Sequence, residues 1–332
     1  MRIRFGGNFV ASVLAVGLLS AQQPAADPLD QATATADGLT QRGRYSEAAE
    51  VLKPAVRAAE KARPSHRLAV ALALLGTIYQ YQYRYTESER MLRRALGIWE
   101  RDPLSDPQWR LGTAVRLASL YSGTGRYALS ERLVSQHLSI WRNLSTCSLQ
   151  IAGLFHELGY AQGGQRRFAE AETSYREALA ILQKLTEHED DLATVLTTLG
   201  NFQARLGRYD EALENLERAV AIYSRLHSEA RPEPVEPLLC LARVHVKIGR
   251  PLDAERVFKQ ALAAALRSIG SEHPLAGVVK VEYARVLRIL GRRRDSATME
   301  REGKAILERS SLMETGRYTI DVGELLENRR RR

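Results

Sequence analysis

The sequence lacks the features that mark disordered chains, membrane-spanning proteins and most enzymes. Its 332 residues include 23 glycines and 11 prolines, which is too little enrichment to indicate disorder. The apolar run at 9–19 is too short for an ordinary membrane span. No nucleophile elbow, Walker loop, H-E-x-x-H zinc motif or C-x-x-C pair occurs. We therefore expect a folded, non-enzymatic protein that needs no cofactor.

What the sequence contains instead is one short pattern repeated seven times. Clear copies lie at Gly43–Ala48, Gly125–Tyr127 and Leu206–Ala212. Successive copies are 40–42 residues apart, and a fixed period of this size is typical of stacked repeat arrays. A small residue closes each copy, at Ala48, Ser88, Ser130, Ala171, Ala212, Ala254 and Ser296.

Two further small residues accompany each copy, 12 positions before and seven positions after the closing residue. Only His137 departs from this rule. Small side chains at fixed positions let two helix backbones approach closely, and the larger apolar residues beside them follow the spacing of one helix face. Each repeat is therefore predicted to be two antiparallel helices whose apolar faces meet.

A glycine separates the two halves of five repeats, where it fits the left-handed cap of the first helix. These glycines are Gly43, Gly125, Gly207, Gly249 and Gly291. Tyr83 and Arg166 replace the glycine in the second and fourth repeats. Keeping the same backbone would cost a non-glycine residue roughly 1–2 kcal/mol. The turns at Tyr83 and Arg166 are therefore expected to differ slightly from the others.

The core of the second repeat, Leu75-Gly76-Thr77-Ile78-Tyr79, and the later small residue Ala95 resemble the tetratricopeptide repeat family. The long period and the segment Gly270–Ala276 are similar to the longer-repeat branch typified by kinesin light chain. The resemblance covers residues 30–310. It implies an all-α fold, a right-handed superhelical solenoid of about seven helix-turn-helix repeats.

The two ends of the chain fall outside the repeats. Residues 1–21 combine Arg2 and Arg4, a short apolar core and the small pair Ser20–Ala21, as in a bacterial secretory signal peptide. Such a leader would direct export to the periplasm or the medium and be removed on export. The alternative is an uncleaved anchor, in which case the leader would be the chain's only membrane contact. Residues 22–29 are predicted to be a linker and residues 311–332 a C-terminal tail.

In the resembled family, the first helices of the repeats line a concave groove, and the residue after the small residue of each first helix points into it. By that resemblance, the groove of this chain becomes polar and basic toward its C-terminal half. Arginine can hold a carboxylate through two N–H groups, so an acidic protein or peptide partner is expected. The predicted contacts are Tyr81, His156, Tyr160, Asn201, Arg205, Arg243, Lys247, Arg285 and Arg288.

Two alternatives to a peptide groove stay open at the level of sequence. The arginines could be a solvated helix face, as charged faces usually are. With a formal net charge of +9, the chain could instead bind an anionic polymer of the cell envelope, such as polysaccharide or nucleic acid. Binding to a polymer would weaken steeply with added salt, which distinguishes it from a peptide groove with apolar contacts.

Three local features have structural interpretations. The acidic run 187–191 suits a helix start better than a metal site, because carboxylates complement the N-terminal helix dipole. Trp99, Trp109 and Trp141 are expected to pack between repeats. Cys147 and Cys240 lie in the fourth and sixth repeats, too far apart for the roughly 7 Å between Cα atoms that a disulfide requires.

Overall fold

The computed structural model is helical in every part of the chain that it describes. The described residues are 27–42, 44–61, 65–102, 106–141, 148–226, 235–268 and 270–313. Within these ranges there are fourteen helices and no strand. The helices are α1 (Pro28–Gln41), α2 (Tyr45–Ala59), α3 (His66–Tyr81), α4 (Tyr85–Arg101), α5 (Pro107–Gly123), α6 (Tyr127–Trp141), α7 (Ser148–Gly164), α8 (Phe168–Leu182), α9 (Glu189–Arg205), α10 (Tyr209–Leu226), α11 (Val235–Lys247), α12 (Pro251–Ser268), α13 (Pro274–Ile289) and α14 (Arg293–Met313).

Consecutive helices pair as hairpins, and the hairpins belong to two compact units. The described part of the first unit contains α1 to α8, and that of the second contains α9 to α14. Within each unit, the second helix of one hairpin also packs on the first helix of the next. Seven hairpins match the seven copies of the sequence pattern, so the predicted all-α fold of helix-turn-helix repeats is confirmed.

Capping side chains and prolines start several of the first helices. Asp27 Oδ1 accepts a hydrogen bond from the Leu29 amide at 2.9 Å. Pro28 occupies the first turn, where its missing N–H would have had no helical partner. Asp106 and Pro107 repeat the arrangement at the start of α5. The prolines between the repeats in the sequence therefore also mark where these helices begin.

Arginines stand at the start of the second helices, without a capping hydrogen bond from their side chains. Arg84 and Arg167 are two examples, before α4 and α8. The guanidinium instead pairs with a glutamate three residues on, as Arg84 does with Glu87 at 2.7 Å. Arg167 also reaches Glu131 of the preceding hairpin at 2.5 Å. Exposed pairs of this kind contribute little singly, but they link one hairpin to the next.

The turn inside the hairpins keeps one backbone conformation in all six repeats where it is described. The four turn glycines in the described ranges have φ between 73° and 79°. Tyr83 and Arg166, at φ 58° and 67°, adopt the same left-handed conformation. The Arg84 amide then donates to the Tyr79 carbonyl at 2.8 Å, as in the glycine-containing turns. The two turns therefore differ from the others only slightly, in a smaller φ, and the hairpin keeps the cap at a cost of roughly 1–2 kcal/mol.

Small residues bring the two helices of each hairpin into contact, as the repeat pattern predicts. The seven residues that close the pattern are all at most 1% exposed. A Cβ atom added to Gly159 would lie 2.9 Å from the Ala171 carbonyl oxygen. One added to Gly200 would lie 2.7 Å from Leu216 Cγ. At these points the two helices lie so close together that only glycine, whose side chain is a single hydrogen atom, fits.

Aromatic side chains pack in the first unit, as predicted for two of the three tryptophans. Trp99 is fully buried, and its ring stacks on that of Trp109 with centroids 6.2 Å apart. Trp99 Nε1 donates a hydrogen bond to Thr113 Oγ1 at 3.2 Å, so burial leaves the indole satisfied. The side chain of Trp141 lies outside the described part of the structure.

Several sequence predictions concern residues outside the described ranges. These are the leader 1–21, the linker apart from its last residues, the tail beyond Met313, and Cys147. Cys240 is a buried free cysteine in α11. Among the described helices, none combines the length and the apolar character needed to cross a membrane.

The contact at Gly159 predicts a sharp difference between two glycine-to-alanine substitutions. Gly159→Ala should lower the free energy of unfolding by about 1–3 kcal/mol, because the new methyl group meets backbone that cannot move aside. Gly38→Ala in α1 is the control, since nothing lies within 4 Å of its added Cβ. It should stabilise by about 0.5–1 kcal/mol through helix propensity. Urea unfolding measures both, and equal stability of the two variants would contradict the close contact.

His137 occupies a small-residue position on α6 and is buried. Its side chain is 3% exposed, and neither ring nitrogen has a hydrogen-bond partner among the described residues. Burial, together with the charge of Arg110, lowers the pKa of His137 to about 4 from 6.5. As the pH falls, the unfolded chain therefore takes up a proton on His137 at a higher pH than the folded chain does. Stability from neutral His137 is complete above pH 6.5 and is lost as the pH falls toward 4.

His137→Ala should remove this part of the pH dependence. Between pH 7 and 4, the wild-type chain should lose roughly 3 kcal/mol more unfolding free energy than the variant. Urea unfolding of both proteins at several pH values measures the difference. Parallel pH profiles would mean that His137 is solvated or hydrogen-bonded in the folded chain.

Candidate functional site

Polar side chains collect on the first helices of the hairpins. We call the surface formed by α1, α3, α5 and α7 the A face of the first unit, and that formed by α9, α11 and α13 the A face of the second unit. Neighbouring first helices within a unit touch one another, so their polar residues lie side by side. All nine predicted contact residues belong to these helices.

Three cationic side chains are exposed on the A face of the second unit. They are Arg205 on α9, Lys247 on α11 and Arg285 on α13. None of the three has an ion-pair partner among the residues that the structure describes. Arg205 and Lys247 are the last residues of their helices, where a cation also complements the helix dipole.

Arg243 and Arg288, two of the predicted contacts, already pair with carboxylates of the same unit. Arg243 donates through Nε and Nη2 to the two carboxylate oxygens of Glu282, at 2.8 and 2.6 Å. Arg288 pairs with Glu300 of α14. The sequence pattern missed these pairs because Glu282 and Glu300 reach their arginines only through the packing of α13 on its neighbours.

The A face of the second unit also carries acidic groups, so it is not uniformly basic. Glu236, Cys240 and Arg243 follow one face of α11 at intervals of four and three residues. Burial raises the pKa of Glu236 to about 7, although Arg243 acts in the opposite direction. Burial and the nearby Glu236 carboxylate raise the pKa of the Cys240 thiol to about 12. Neither group was among the predicted contacts.

His156, predicted as a contact on the first unit, is not presented at the surface. Its side chain is 3% exposed, with Nδ1 3.6 Å from a carboxylate oxygen of Glu157. Its ring lies 5.9 Å from that of Tyr175 on α8. The helix spacing correctly put His156 and Tyr160 on one side of α7, but only Tyr160 is partly exposed.

The remaining predicted contacts, Tyr81 and Asn201, are partly exposed on different units. Tyr81 ends α3, and its ring stacks on Tyr45 of α2 with centroids 4.7 Å apart. Burial raises the pKa of Tyr81, and the positive charge of Arg116 opposes that shift. The predicted contacts therefore lie on the A faces of both units.

Arg116 on α5 is a buried charged residue that the sequence analysis missed. Its side chain is 2% exposed, and Nη1 donates to Thr77 Oγ1 at 2.6 Å. Its other terminal nitrogen, Nη2, has no hydrogen-bond partner among the described residues. Burial lowers the pKa of Arg116 to about 10, and Tyr81 and Asp37 oppose the shift. The sign of it in the sequence was its position on α5, two residues before the small residue Ala118.

The acidic run at the start of α9 behaves as a helix start. Glu189, Asp190 and Asp191 lie in the first turn of α9, as predicted. Within the described residues, no group of three or more histidine, cysteine, aspartate or glutamate side chains is arranged to hold a metal ion.

Parts of the chain match a known repeat family in sequence. Residues 149–225 and 191–265 match one tetratricopeptide repeat family, and residues 68–101 match a second one. No curated protein is significantly similar to the chain in sequence.

Solved structures of repeat proteins share the fold. One from Podosopora anserina, described as a kinesin light chain with nearly identical TPR-like repeats, is 23% identical. The match covers 61% of this chain and 96% of that one, with a TM-score of 0.51. A Rap protein in complex with competence and sporulation factor is 15% identical over 85% of this chain and 75% of its own, with a TM-score of 0.63.

A third relative, the quorum sensor NprR from B. thuringiensis, is 14% identical. That match covers 84% of this chain and 87% of NprR, with a TM-score of 0.55. Family matches in both units, seven helical hairpins and this shared fold agree with the resemblance seen in the sequence. Residues 68–101 and 149–265 are therefore tetratricopeptide repeats, and the described helices share the fold of solved kinesin light chain-like repeat proteins.

Proposed function

We propose that the chain is an exported, non-enzymatic scaffold that binds an acidic protein or peptide on the A face of its second unit. The observation that carries the proposal is the set of exposed cations Arg205, Lys247 and Arg285 on three successive first helices. Proteins of the same fold support it, since a Rap protein binds competence and sporulation factor and NprR is a quorum sensor.

The chemistry of the A face favours carboxylates as the groups that are recognised. Arg243 and Glu282 form a two-pronged guanidinium–carboxylate pair on this surface, so its geometry accommodates such a contact. Arg285 holds the place in α13 that Arg243 holds in α11, one residue after the small residue of the helix. An acidic side chain of the partner could pair with Arg285 as Glu282 pairs with Arg243.

The protonation state of Cys240, the nucleophilic residue on this surface, also favours a binding role over catalysis. Cysteine reacts as a thiolate, and reactive cysteines have pKa values lowered by neighbouring cations. The pKa of Cys240 is raised to about 12, mainly by burial, so the thiol stays protonated at neutral pH. Cys240 is therefore a packing residue behind the A face.

Charge reversal at two of the three exposed cations tests the proposal. The double variant Lys247→Glu, Arg285→Glu should weaken partner binding by orders of magnitude, since each charge-assisted contact contributes roughly 1.5–3 kcal/mol. Arg218→Glu, Arg301→Glu is the control, because it makes the same charge change on the second helices α10 and α14. Calorimetry with a partner from an envelope pull-down measures both. Equal affinities would exclude the A face of the second unit.

The same titration at several salt concentrations separates a peptide partner from an anionic polymer. If the ligand is a polysaccharide or nucleic acid, the logarithm of the affinity should fall steeply and linearly with the logarithm of salt. A peptide held by a few ion pairs and apolar contacts should show a shallow dependence. A steep slope would replace the scaffold proposal with the envelope-polymer alternative.

Export is the second part of the proposal, and it depends on residues 1–21. The order of basic, apolar and small residues in that segment is that of a secretory signal peptide. We expect cleavage after Ala21, which leaves Gln22 as the new N-terminus. Intact-mass measurement on protein from the periplasm or medium checks this. Recovery of only the full-length chain, from the cytosol, would contradict export.

A further inference from the structure

The turns of the last two hairpins form an edge of the second unit that carries cations and no carboxylate. We call residues 247–252 and 289–294 the turn edge. Its charged residues are all exposed, and they are Lys247, Arg250, Arg292, Arg293 and Arg294. Arg292 Nη1 reaches Glu255 of α12 at 2.6 Å, so the two turns lie side by side.

The carboxylates that flank the turn edge are already paired. Asp253 lies 3.5 Å from Arg256, and Asp295 lies 2.7 Å from Arg292. Arg293 and Arg294 have no ion-pair partner among the residues that the structure describes. The edge therefore keeps a local excess of positive charge.

Arg250 is free for a reason that the other repeats make clear. An arginine follows the turn in every hairpin, and in three hairpins a glutamate of the preceding hairpin holds it. These pairs are Arg126–Glu89, Arg167–Glu131 and Arg292–Glu255, at 2.5–2.6 Å. Each glutamate directly follows the closing small residue of its repeat. Leu213 occupies that place in the repeat before Arg250, and Arg250 has no ion-pair partner in the described part of the chain.

Aliphatic side chains project from the same edge. Leu252 is 71% exposed and Ile289 is 62% exposed, and no other large apolar residue in the described part of the second unit is as exposed as these two. Ile248 and Leu290, beside the turn glycines, are partly exposed. Exposed apolar groups rimmed by charge are typical of surfaces that bind a partner or a membrane.

Ile289 is uncovered because the preceding turn lacks an aromatic residue. In the first unit, a ring two places after one turn residue lies on the residue two places before the next. Tyr45 stacks on Tyr81 with centroids 4.7 Å apart, and the ring of Tyr127 lies against Gly164. Pro251 holds the place of that ring before Ile289. The sixth hairpin thus lacks both the glutamate that would hold Arg250 and the ring that would cover Ile289.

We propose that the turn edge binds the surface of an anionic membrane. The arginines lie at the lipid phosphates, and Leu252 and Ile289 insert among the acyl chains. Cations are attracted to anionic lipid surfaces, and buried apolar area adds to that attraction. Lys247 lies where this edge meets the A face, but the proposal does not depend on the partner surface, and its tests leave Lys247 and Arg285 unchanged.

The combination of charge and aliphatic groups favours a membrane over other partners. A nucleic acid or polysaccharide would use the arginines, but its charged or hydroxylated backbone gives protruding aliphatic groups little to contact. A second copy of the chain would bring two basic edges together, and like charges oppose that contact.

Cosedimentation with vesicles tests the apolar part of the edge. Vesicles of equal parts phosphatidylglycerol and phosphatidylcholine should bind the wild-type chain, and Leu252→Ser, Ile289→Ser should bind about tenfold more weakly. Ile140→Ser, Leu266→Ser is the control, because it removes two exposed aliphatic side chains elsewhere and should bind as the wild type does. No binding of the wild-type chain, or equal binding of the two variants, would overturn the proposal.

Neutralising two arginines tests the charged part of the edge. Arg250→Gln, Arg293→Gln should weaken vesicle binding by about fivefold for each arginine. Arg218→Gln, Arg301→Gln removes the same charge from the second helices α10 and α14 and should bind nearly as the wild type does. The leader and the tail are present in every protein compared, so the differences report on the turn edge. Equal losses in both variants would show attraction by net charge alone and overturn the proposal.

Two further outcomes would assign the edge to another occupant. Vesicle binding that requires the arginines but not Leu252 and Ile289 would indicate a site for a polyanion instead. Sedimentation velocity without vesicles measures self-association. A dimer that is lost in the Leu252→Ser, Ile289→Ser variant would assign the edge to a second copy of the chain. Either result would overturn the membrane proposal, whereas a monomer that binds vesicles through both kinds of side chain supports it.

Discussion

The close approach of the two helices in each hairpin is the constraint on which the rest of the structure depends. Gly159 against the Ala171 carbonyl, and Gly200 against Leu216, leave no room for a Cβ atom. Interiors packed this tightly tolerate little added volume. Because every repeat has glycine or alanine at this position, the contact determines where each second helix lies on its first helix, and so which side of the first helix is left to form the A face.

The turn that joins the two helices keeps nearly the same conformation in the described repeats, even where its residue is not glycine. Tyr83 and Arg166 accept a left-handed backbone that glycine would adopt without strain. The stable contact between the helices therefore outweighs the local preference at these positions. The hairpin geometry, rather than the turn residue, decides the turn.

The A faces show how one architecture can serve different chemistry in each unit. The contact between neighbouring first helices is a full ion pair in Arg243–Glu282 but a hydroxyl–guanidinium contact in Thr77–Arg116. The second unit thereby pairs Arg243 with a carboxylate and leaves Arg205, Lys247 and Arg285 exposed. The first unit buries Arg116 with a neutral hydroxyl group as its hydrogen-bond partner. The helix scaffold is the same, and two side chains per contact decide what each face can hold.

Local spacing was enough to predict the helices, their hairpins and the small-residue contacts, because each depends on residues within one repeat. The identity of partners across repeats was not. Whether Arg243 is free depends on Glu282, which lies 39 residues away in the next repeat. The sequence by itself therefore determined the family, the repeat and the candidate helices. Only the tertiary structure decided which charges are paired, which are exposed and which, like Arg116, are buried against a neutral group, since those properties arise from the stacking of one hairpin on the next.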